Sequence, residues 1–418
     1  MSSLLVPAEA VQTRRRRFVA IAALYFVADL GYAFLFGAFT TILLAGGLRL
    51  DQLAWVNLLG LLYVGRFLAG PLVDRIRISR LGHYRGWLLV TQPLLVLAWL
   101  LMVPLDPMAD LPLVLLLTAA VLLVSAVHDT AMNGFAVRLL PPRDRGVGNG
   151  IQAGMASASI VIGSGGALLL YAHAGWGVTV GVLAVLFLVP FGVLLCVVEP
   201  AAEPATRPTM PFAEMVTLFG QRRVRAWTLL VAPLFALGGY LATSVQAPML
   251  LAAQWSLEQI ALVQGTVAGL AGAGAAVGVG ALVTRFGVRR AALAVGSFWV
   301  GALALLLPLS LGGSTAVLDA AAVLAVTVGY SGMAVCAYTV AMDLARPASA
   351  ATDFTLQLSV LGVLRLVTTS AGLAAAGVVG FPLLIGAAVL LAAAGTWITT
   401  RWLRSHRTSP DPDPRELA

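Results

Sequence analysis

Apolar residues in this 418-residue chain come in long runs, parted by short polar stretches in which arginine and proline recur. A bilayer's hydrocarbon core is about 30 Å thick and takes roughly 20 apolar residues per helix. By that measure the first half predicts membrane spans at 18–46, 53–73, 86–105, 111–140, 147–171 and 176–198. The second half predicts spans at 226–252, 257–283, 291–311, 316–344, 353–379 and 382–403. The expected fold class is all-α integral membrane, with twelve transmembrane helices.

The two sets of six read as copies. GPLVDRIR from Gly70 returns as GALVTRFG from Gly280, an offset of 210. The same offset carries TAMN (Thr130 to Asn133) onto VAMD (Val340 to Asp343), and a slightly shorter one carries LDQLAWVN from Leu50 onto LEQIALVQ from Leu257. Tandem membrane-embedded halves with a substrate between them are a common plan of secondary transporters. The predicted organisation is a basic N-terminus (1–17), two pseudo-symmetric six-helix bundles (18–198 and 226–403), a linker (199–225) and a disordered tail (404–418). Within the linker, FAEMVTLF reads as an interfacial helix acting as a tether.

Arginine placement orients the spans. Arg14 to Arg17, Arg75 to Arg85, Arg138 to Arg145, Arg207 to Arg225, Arg285 to Arg290, Arg346 and Arg401 to Arg415 fall on one side; Arg49, Arg66 and Arg365 do not. Short loops rich in arginine stay in the cytoplasm, so both termini are expected there. The opposite loops are short and tend acidic, as at Asp106 and Asp110.

Composition agrees with a membrane protein. Hydrophobic residues make up 60% and charged residues 11%, about half the charge of a soluble globular chain. Mean hydropathy is +0.94. The net charge of +8 is spread between apolar runs and not gathered on one face, which argues against a nucleic-acid partner. Every basic residue is arginine, and no mechanism follows from that. Cys196 and Cys336 both fall in spans, so neither a disulfide framework nor a thiolate metal site is expected. No cofactor motif is present, because the glycines of the eighth span follow no strand. TRRRRFVA faintly resembles a twin-arginine export signal, but the run after it is too long, holds Asp29 and is only the first of many.

Six plus six helices with a Gly-x-x-x-Asp-Arg motif after the second span (Gly70, Asp74, Arg75) resemble the major facilitator superfamily. The second copy keeps Gly280 and Arg285 but has Thr284 at the acidic position. The resemblance implies that Asp74 sits at a helix end and pairs with basic groups at a cytoplasmic gate, favouring one conformation until substrate arrives. Loss of the acid implies that only the first copy retains the charged clasp. FLAGPLVDRIRISRLGHYRGWLLVTQPLL from Phe67, HDTAMNGFAVRLLPPRDRGVGNGIQ from His128 and GSGGALLL from Gly163 resemble the AmpG-type muropeptide permeases and related single-component siderophore importers of bacterial inner membranes. TDFTLQ (Thr352 to Gln357) is nearer the siderophore branch. Proton-coupled drug exporters carry Gly-Pro-x-x-Gly-Gly in the fifth span. Here Gly150, Gly154 and the run from Gly163 lack that proline, which lowers the exporter reading. Those glycines, and the run from Gly265 to Gly280, read as close helix packing.

Ionisable side chains deep in a bilayer are costly and mark function or structural pairs. Four stand out: Asp29, Arg66, Asp129 and Arg365. In the superfamily architecture spans 1, 4, 7 and 10 line a central cavity while 2 and 11 meet. The resemblance therefore implies that Asp29 and Asp129 face the cavity, and that Arg66 and Arg365 approach one another, with an anion between them or a carboxylate each. A guanidinium fork suits an acidic substrate. The competing reading is a structural ion pair, Asp29 with Arg66 or Asp129 with a neighbouring arginine.

Proton coupling needs a group whose protonation changes as solvation changes, and Asp29 and Asp129 are the candidates. His128 is adjacent, but neighbouring helix positions point about 100° apart, so it reads first as a structural hydrogen-bonder. Asn133 shares a face with Asp129, and its repeat partner Asp343 sits near the cytoplasmic end of span 10, so both read as gate elements. Tyr32 shares a face with Asp29. Tyr240, Ser244 and Gln246 on span 7, and Tyr330 and Tyr338 on span 10, are candidates for neutral hydrogen bonding to substrate. Gln152 and Gln357 form a symmetric pair early in spans 5 and 11.

Together these readings predict a monomeric, proton-coupled transporter in the bacterial cytoplasmic membrane, importing a polar and anionic small molecule of the siderophore or muropeptide class. An exporter of a drug or natural product would use the same scaffold. A non-transporting receptor would carry long cytoplasmic additions. A membrane enzyme would carry clustered nucleophile motifs, whereas His83, His128, His173 and His406 are scattered.

Overall fold

In hydrocarbon every backbone N–H and C=O must find a partner within the protein, and a helix satisfies them locally. The computed structural model describes residues 13–48, 56, 58–78, 81–200 and 213–405, and it is helical, with no strand among the described residues. The crossings are α1 (Arg14–Ala45), α2 (60–75), α3 (Tyr84–Met102), α4 (Leu111–Leu139), α5 (145–174) and α6 (176–195). They continue as α7 (Arg222–Ala252), α8 (257–286), α9 (Val288–Ser310), α10 (Ala316–Leu344), α11 (Ala350–Val379) and α12 (Phe381–Ser405). The apolar stretch Pro142–Leu195 is one run of 54 residues but two crossings. It turns at Gly175, where φ is 79° and ψ is −178°, a conformation that favours a residue without Cβ. A short helix, Ala213–Gly220, precedes α7. Arg49, most of the LDQLAWVN repeat, linker residues 201–212 and the tail from 406 lie outside the described residues.

Two helices depart from α geometry where they carry charge. Asp29 interrupts α1 with φ −91° and ψ 0°, and a π turn follows at Leu35–Phe39. Arg66 lies in a 3-10 segment, Gly65–Ala69, in the middle of α2. Such mid-helix departures commonly mark functional positions or strain.

Contacts divide the chain into two compact units. The first comprises residues up to 141, 162–207 and 347–351; the second comprises 142–161, 208–346 and 352 onward. The sequence repeat places bundles at 18–198 and 226–403, and the compact units differ from it at two short segments. The first half of α5 belongs with the second unit, and the residues leading into α11 belong with the first.

The first unit's core is aromatic. Phe34 meets Trp99 edge-on at 5.1 Å, Phe39 lies 5.9 Å from Trp176, and the Trp176 indole donates to the Met102 carbonyl at 2.9 Å. The second unit buries Trp227, Phe235 and Trp299 among small residues. Within it α5 and α8 meet backbone to backbone. A Cβ on Gly150 would lie 2.6 Å from the Ala276 carbonyl oxygen, and one on Gly280 would lie 2.6 Å from that of Gly146. Small residues permit this approach, and dispersion between the two backbones, which lipid tails do not match, holds the seam.

Candidate functional site

In the first unit Asp29 on α1, Arg66 on α2 and Asp129 on α4 belong to one hydrogen-bonded chain. Tyr63 donates its hydroxyl to Asp29 Oδ1 at 2.8 Å, and the Tyr63 oxygen accepts from Arg66 Nη1 at 3.1 Å. Arg66 Nη1 also donates to Asp129 Oδ2 at 2.7 Å. Asn133 Nδ2 donates to that carboxylate oxygen at 3.3 Å, and the Tyr25 hydroxyl donates to Asn133 Oδ1 at 3.0 Å. Helical spacing makes this possible: Tyr25 and Asp29, Tyr63 and Arg66, and Asp129 and Asn133 are each three or four positions apart and so share a face. Thr130 donates to the Arg66 carbonyl at 2.9 Å, tying the 3-10 segment to α4.

Burial grades along the chain. The Asp129 side chain is 5% exposed and that of Arg66 is 21% exposed, while Asp29 is half-buried. The Tyr32 ring lies tilted against those of Tyr63 at 5.3 Å and Phe36 at 4.6 Å, bringing aromatic surface to the residue that bonds Asp29. The sequence leaves the carboxylate partner of Arg66 open, and in the structure it is Asp129, not Asp29. His128 stands outside the chain: it is buried, and its Nε2 has no hydrogen-bond partner.

The second unit holds Arg365. Its Nη1 donates to the Tyr330 hydroxyl at 3.2 Å, with the guanidinium carbon 5.4 Å from that ring. Tyr330 lies 6.1 Å from Tyr240 and 6.2 Å from Trp299, so α7, α9, α10 and α11 bring an aromatic cluster to an exposed arginine. Tyr338 is half-buried on α10. Gln246 is buried with Nε2 lacking a partner, and Ser244 donates to the Leu241 carbonyl on its own helix.

One paired expectation needs correction. Gln357 donates to the carbonyls of Ala341 (3.0 Å) and Asp353 (3.1 Å) and accepts from Thr228. It ties α7, α10 and α11 together and has no spare amide hydrogen for a ligand. Gln152 is buried with Oε1 lacking a partner, so the two glutamines are not equivalent.

The duplicated motif is also asymmetric. Asp74 accepts from the Ala351 backbone N–H at 3.1 Å and from the Tyr84 hydroxyl. Arg138 stacks over the Tyr84 ring at 4.4 Å and pairs with Glu199 at 2.9 Å, and the other Glu199 oxygen accepts from the Arg85 N–H. Beside the motif lies His83, whose imidazole is pushed down to about 4 by burial and, next, by the charge of Arg138.

At the second copy the Thr284 hydroxyl turns back to the Gly280 carbonyl at 3.0 Å, and a Cβ on Gly146 would come within 2.9 Å of it. A charged pair nevertheless stands nearby, Arg145 with Asp343 at 2.7 Å. This pair joins α5 to α10 and involves no residue of the repeated motif itself. Asn133 and Asp343, equivalent by repeat, serve different partners.

Gly70 is buried, Arg75 is exposed, and Arg285 lies over the Phe286 ring at 5.2 Å. Arg346 grips Asp353 through two bonds of 2.7 Å and donates to Thr217, which anchors the Ala213–Gly220 helix within the second unit. Among the described residues no group of three or more His, Cys, Asp or Glu could hold a metal ion.

Sequence reading missed Tyr63, Tyr25 and Arg145. Tyr25 and Tyr63 each fall one helical turn from a flagged charge, a usable signal. Nothing local marks Arg145, whose partner is 198 positions away.

Comparison with known proteins adds a family match. The description "Major Facilitator Superfamily" fits residues 21–376. Anhydromuropeptide permease of Escherichia coli (strain K12) is 29% identical over 259 residues, covering 59% of this chain and 51% of that protein. An uncharacterized protein of Haemophilus influenzae is 26% identical over 240 residues, 54% of this chain and 55% of its own length. The chain thus spans about half the length of the curated relatives it matches. Among solved structures, the human organic anion transporter MFSD10 (TETRAN) has a TM-score of 0.71 at 13% identity, over 92% of this chain and 99% of that one. A bacterial homologue of the iron transporter ferroportin, outward-facing, has a TM-score of 0.68 at 17% identity, over 94% and 99%. At such identities the likeness is one of fold.

Proposed function

Because the chain belongs to the Major Facilitator Superfamily, we propose that it is a proton-coupled importer of a polar, anionic small molecule of the muropeptide or siderophore class, working by alternating access in the bacterial inner membrane with both termini cytoplasmic. The observation that carries this reading is the run Asp29–Tyr63–Arg66–Asp129, which places two carboxylates against one guanidinium inside a membrane bundle. Charge buried there is costly unless it is used or neutralised. A carboxylate that changes its solvation during the cycle can take a proton on one side and lose it on the other.

Similarity to an anhydromuropeptide permease supports the muropeptide class. Arg365 supplies a guanidinium for an acidic group, and the Tyr330 and Tyr240 rings beside it supply apolar faces for a ring-bearing ligand.

Proteoliposomes with an imposed pH gradient test the reading, with labelled anhydromuropeptide and a panel of ferri-siderophores as probes. Accumulation is expected for a member of one class, and Asp29→Asn and Asp129→Asn are expected to abolish it while leaving exchange across equal pH. Unchanged gradient-driven uptake in both variants would sink proton coupling. Arg365→Ala is expected to weaken substrate binding with little loss of folded protein in detergent.

A further inference from the structure

Arg66 brings one positive charge to a segment that holds two carboxylates. Among the described residues the charged groups acting on Tyr63 are Asp129, Asp29 and Arg66, and those acting on Asp129 are Arg66 and Asp29. From the packed elements, α1 presents Tyr25 and Tyr32, α4 presents the neutral Asn133, and His128 takes no hydrogen bond from the set. Arg138 on α4 pairs with Glu199, and Arg85 on α3 turns its guanidinium away to the carbonyls of Leu81, Leu194 and Leu195. With both acids ionised the set carries one negative charge in excess, and a single proton makes it neutral. Low-dielectric surroundings favour the neutral set.

Tyr63 stands between the two acids. It is 5% exposed, its ring lies 5.3 Å from that of Tyr32 and 5.0 Å from the Arg66 guanidinium carbon, and its hydroxyl touches Asp29, Arg66 and, at 3.5 Å, the Ala28 carbonyl. We propose that Tyr63 is a positioning residue that joins Asp29 and Asp129 into a single titrating pair, which binds one proton per transport cycle.

The steps balance. In the structure Tyr63 donates to Asp29 and accepts from Arg66, so Asp29 is the acceptor. When half-buried Asp29 takes a proton from water, its O–H becomes the donor and the Tyr63 oxygen the acceptor. The phenolic hydrogen then turns to the Ala28 carbonyl. No other group gains or loses a proton in this step, and of the two acids Asp129 stays ionised beside Arg66. Loss of the proton restores the first arrangement. Groups coupled this closely titrate as a pair.

This inference rests on the proton-coupled reading, and the test separates the two. Purified protein in lipid films is titrated while infrared difference spectra follow the protonated-carboxyl stretch, which needs no substrate. Wild type is expected to show one transition. Charge balance predicts that Asp29→Asn and Asp129→Asn each abolish it, because one acid then remains with one guanidinium; independent acids predict loss in only one variant, which would overturn the proposal.

Tyr63→Phe keeps the ring contacts and is expected to displace the transition by about one pH unit, about tenfold in proton affinity. In the Asp29→Asn background the same change is expected to add nothing. A Tyr63→Phe titration superimposed on wild type would remove Tyr63 from the mechanism while leaving proton coupling standing. A transition untouched by either aspartate variant would remove the proton-coupled reading itself. Should Tyr63→Phe not fold, the two aspartate variants still decide whether the acids titrate as one.

Discussion

The carboxylate of Asp74, at the end of α2, accepts a hydrogen bond of 3.1 Å from the backbone N–H of Ala351, 277 positions away at the start of α11. An anion at a helix N-terminus meets unsatisfied N–H groups and the positive end of the helix dipole. Asp74→Thr reproduces the second copy of the motif and is expected to cost about 1.5 to 3 kcal/mol, the range for hydrogen bonds to charged groups. A lower melting temperature in detergent would register it, and Asp74→Asn should fall between the two. Equal melting of all three proteins would show that the contact holds nothing.

Gly150 and Gly278 provide an internal contrast. A Cβ on Gly150 would lie 2.6 Å from the Ala276 carbonyl oxygen, whereas one on Gly278 meets nothing within 4 Å. Gly150→Val is expected to destabilise the α5–α8 seam by about 1 to 3 kcal/mol, the usual cost of overpacking. Gly278→Ala should be neutral. Thermal aggregation curves of the two variants beside wild type would check this, and a tolerated valine at 150 would mean the seam is loose.

The Arg145–Asp343 pair calls for a double-mutant cycle. Its side chains are 15% and 21% exposed, so removing Arg145 strands a poorly solvated carboxylate. Arg145→Ala is expected to cost about 2 to 4 kcal/mol. The double variant Arg145→Ala/Asp343→Ala should cost less than the two single losses added together. Additive losses would mean that the two residues act separately.

His83 makes stability depend on pH in one direction. Its imidazole is held down to about 4 when folded, against an ordinary value near 6.5. Between those values the unfolded chain binds a proton that the folded chain refuses, so stability falls as pH drops from 6.5 toward 4. His83→Gln should flatten that part of the profile. Melting temperatures at pH 7 and pH 5 would check it, and identical differences in wild type and variant would count against it.

The network around Arg66 was legible only in pieces. Asp29, Arg66 and Asp129 are visible as charges inside apolar runs. Their pairing is not, because Asp29 and Asp129 are both acids on other helices, and choosing between them depends on how α1, α2 and α4 are rotated about their axes. Gln357 shows the same limit from the other side. Its repeat relation to Gln152 is real in the sequence, yet the Ala341 and Asp353 carbonyls take up its amide.

The spans from α1 to α12 could be read from composition alone. A run of apolar residues long enough to cross a bilayer must satisfy its own backbone, and this is a local property of each segment. The duplicated motif, the twelve crossings and the superfamily follow from such local signals. Partner choice does not: Tyr63 with Asp29, Arg66 with Asp129, and Arg145 with Asp343 depend on the register of helices far apart in the chain. A shift of one residue turns a helical side chain by about 100°, so these contacts exist only once the bundle has packed.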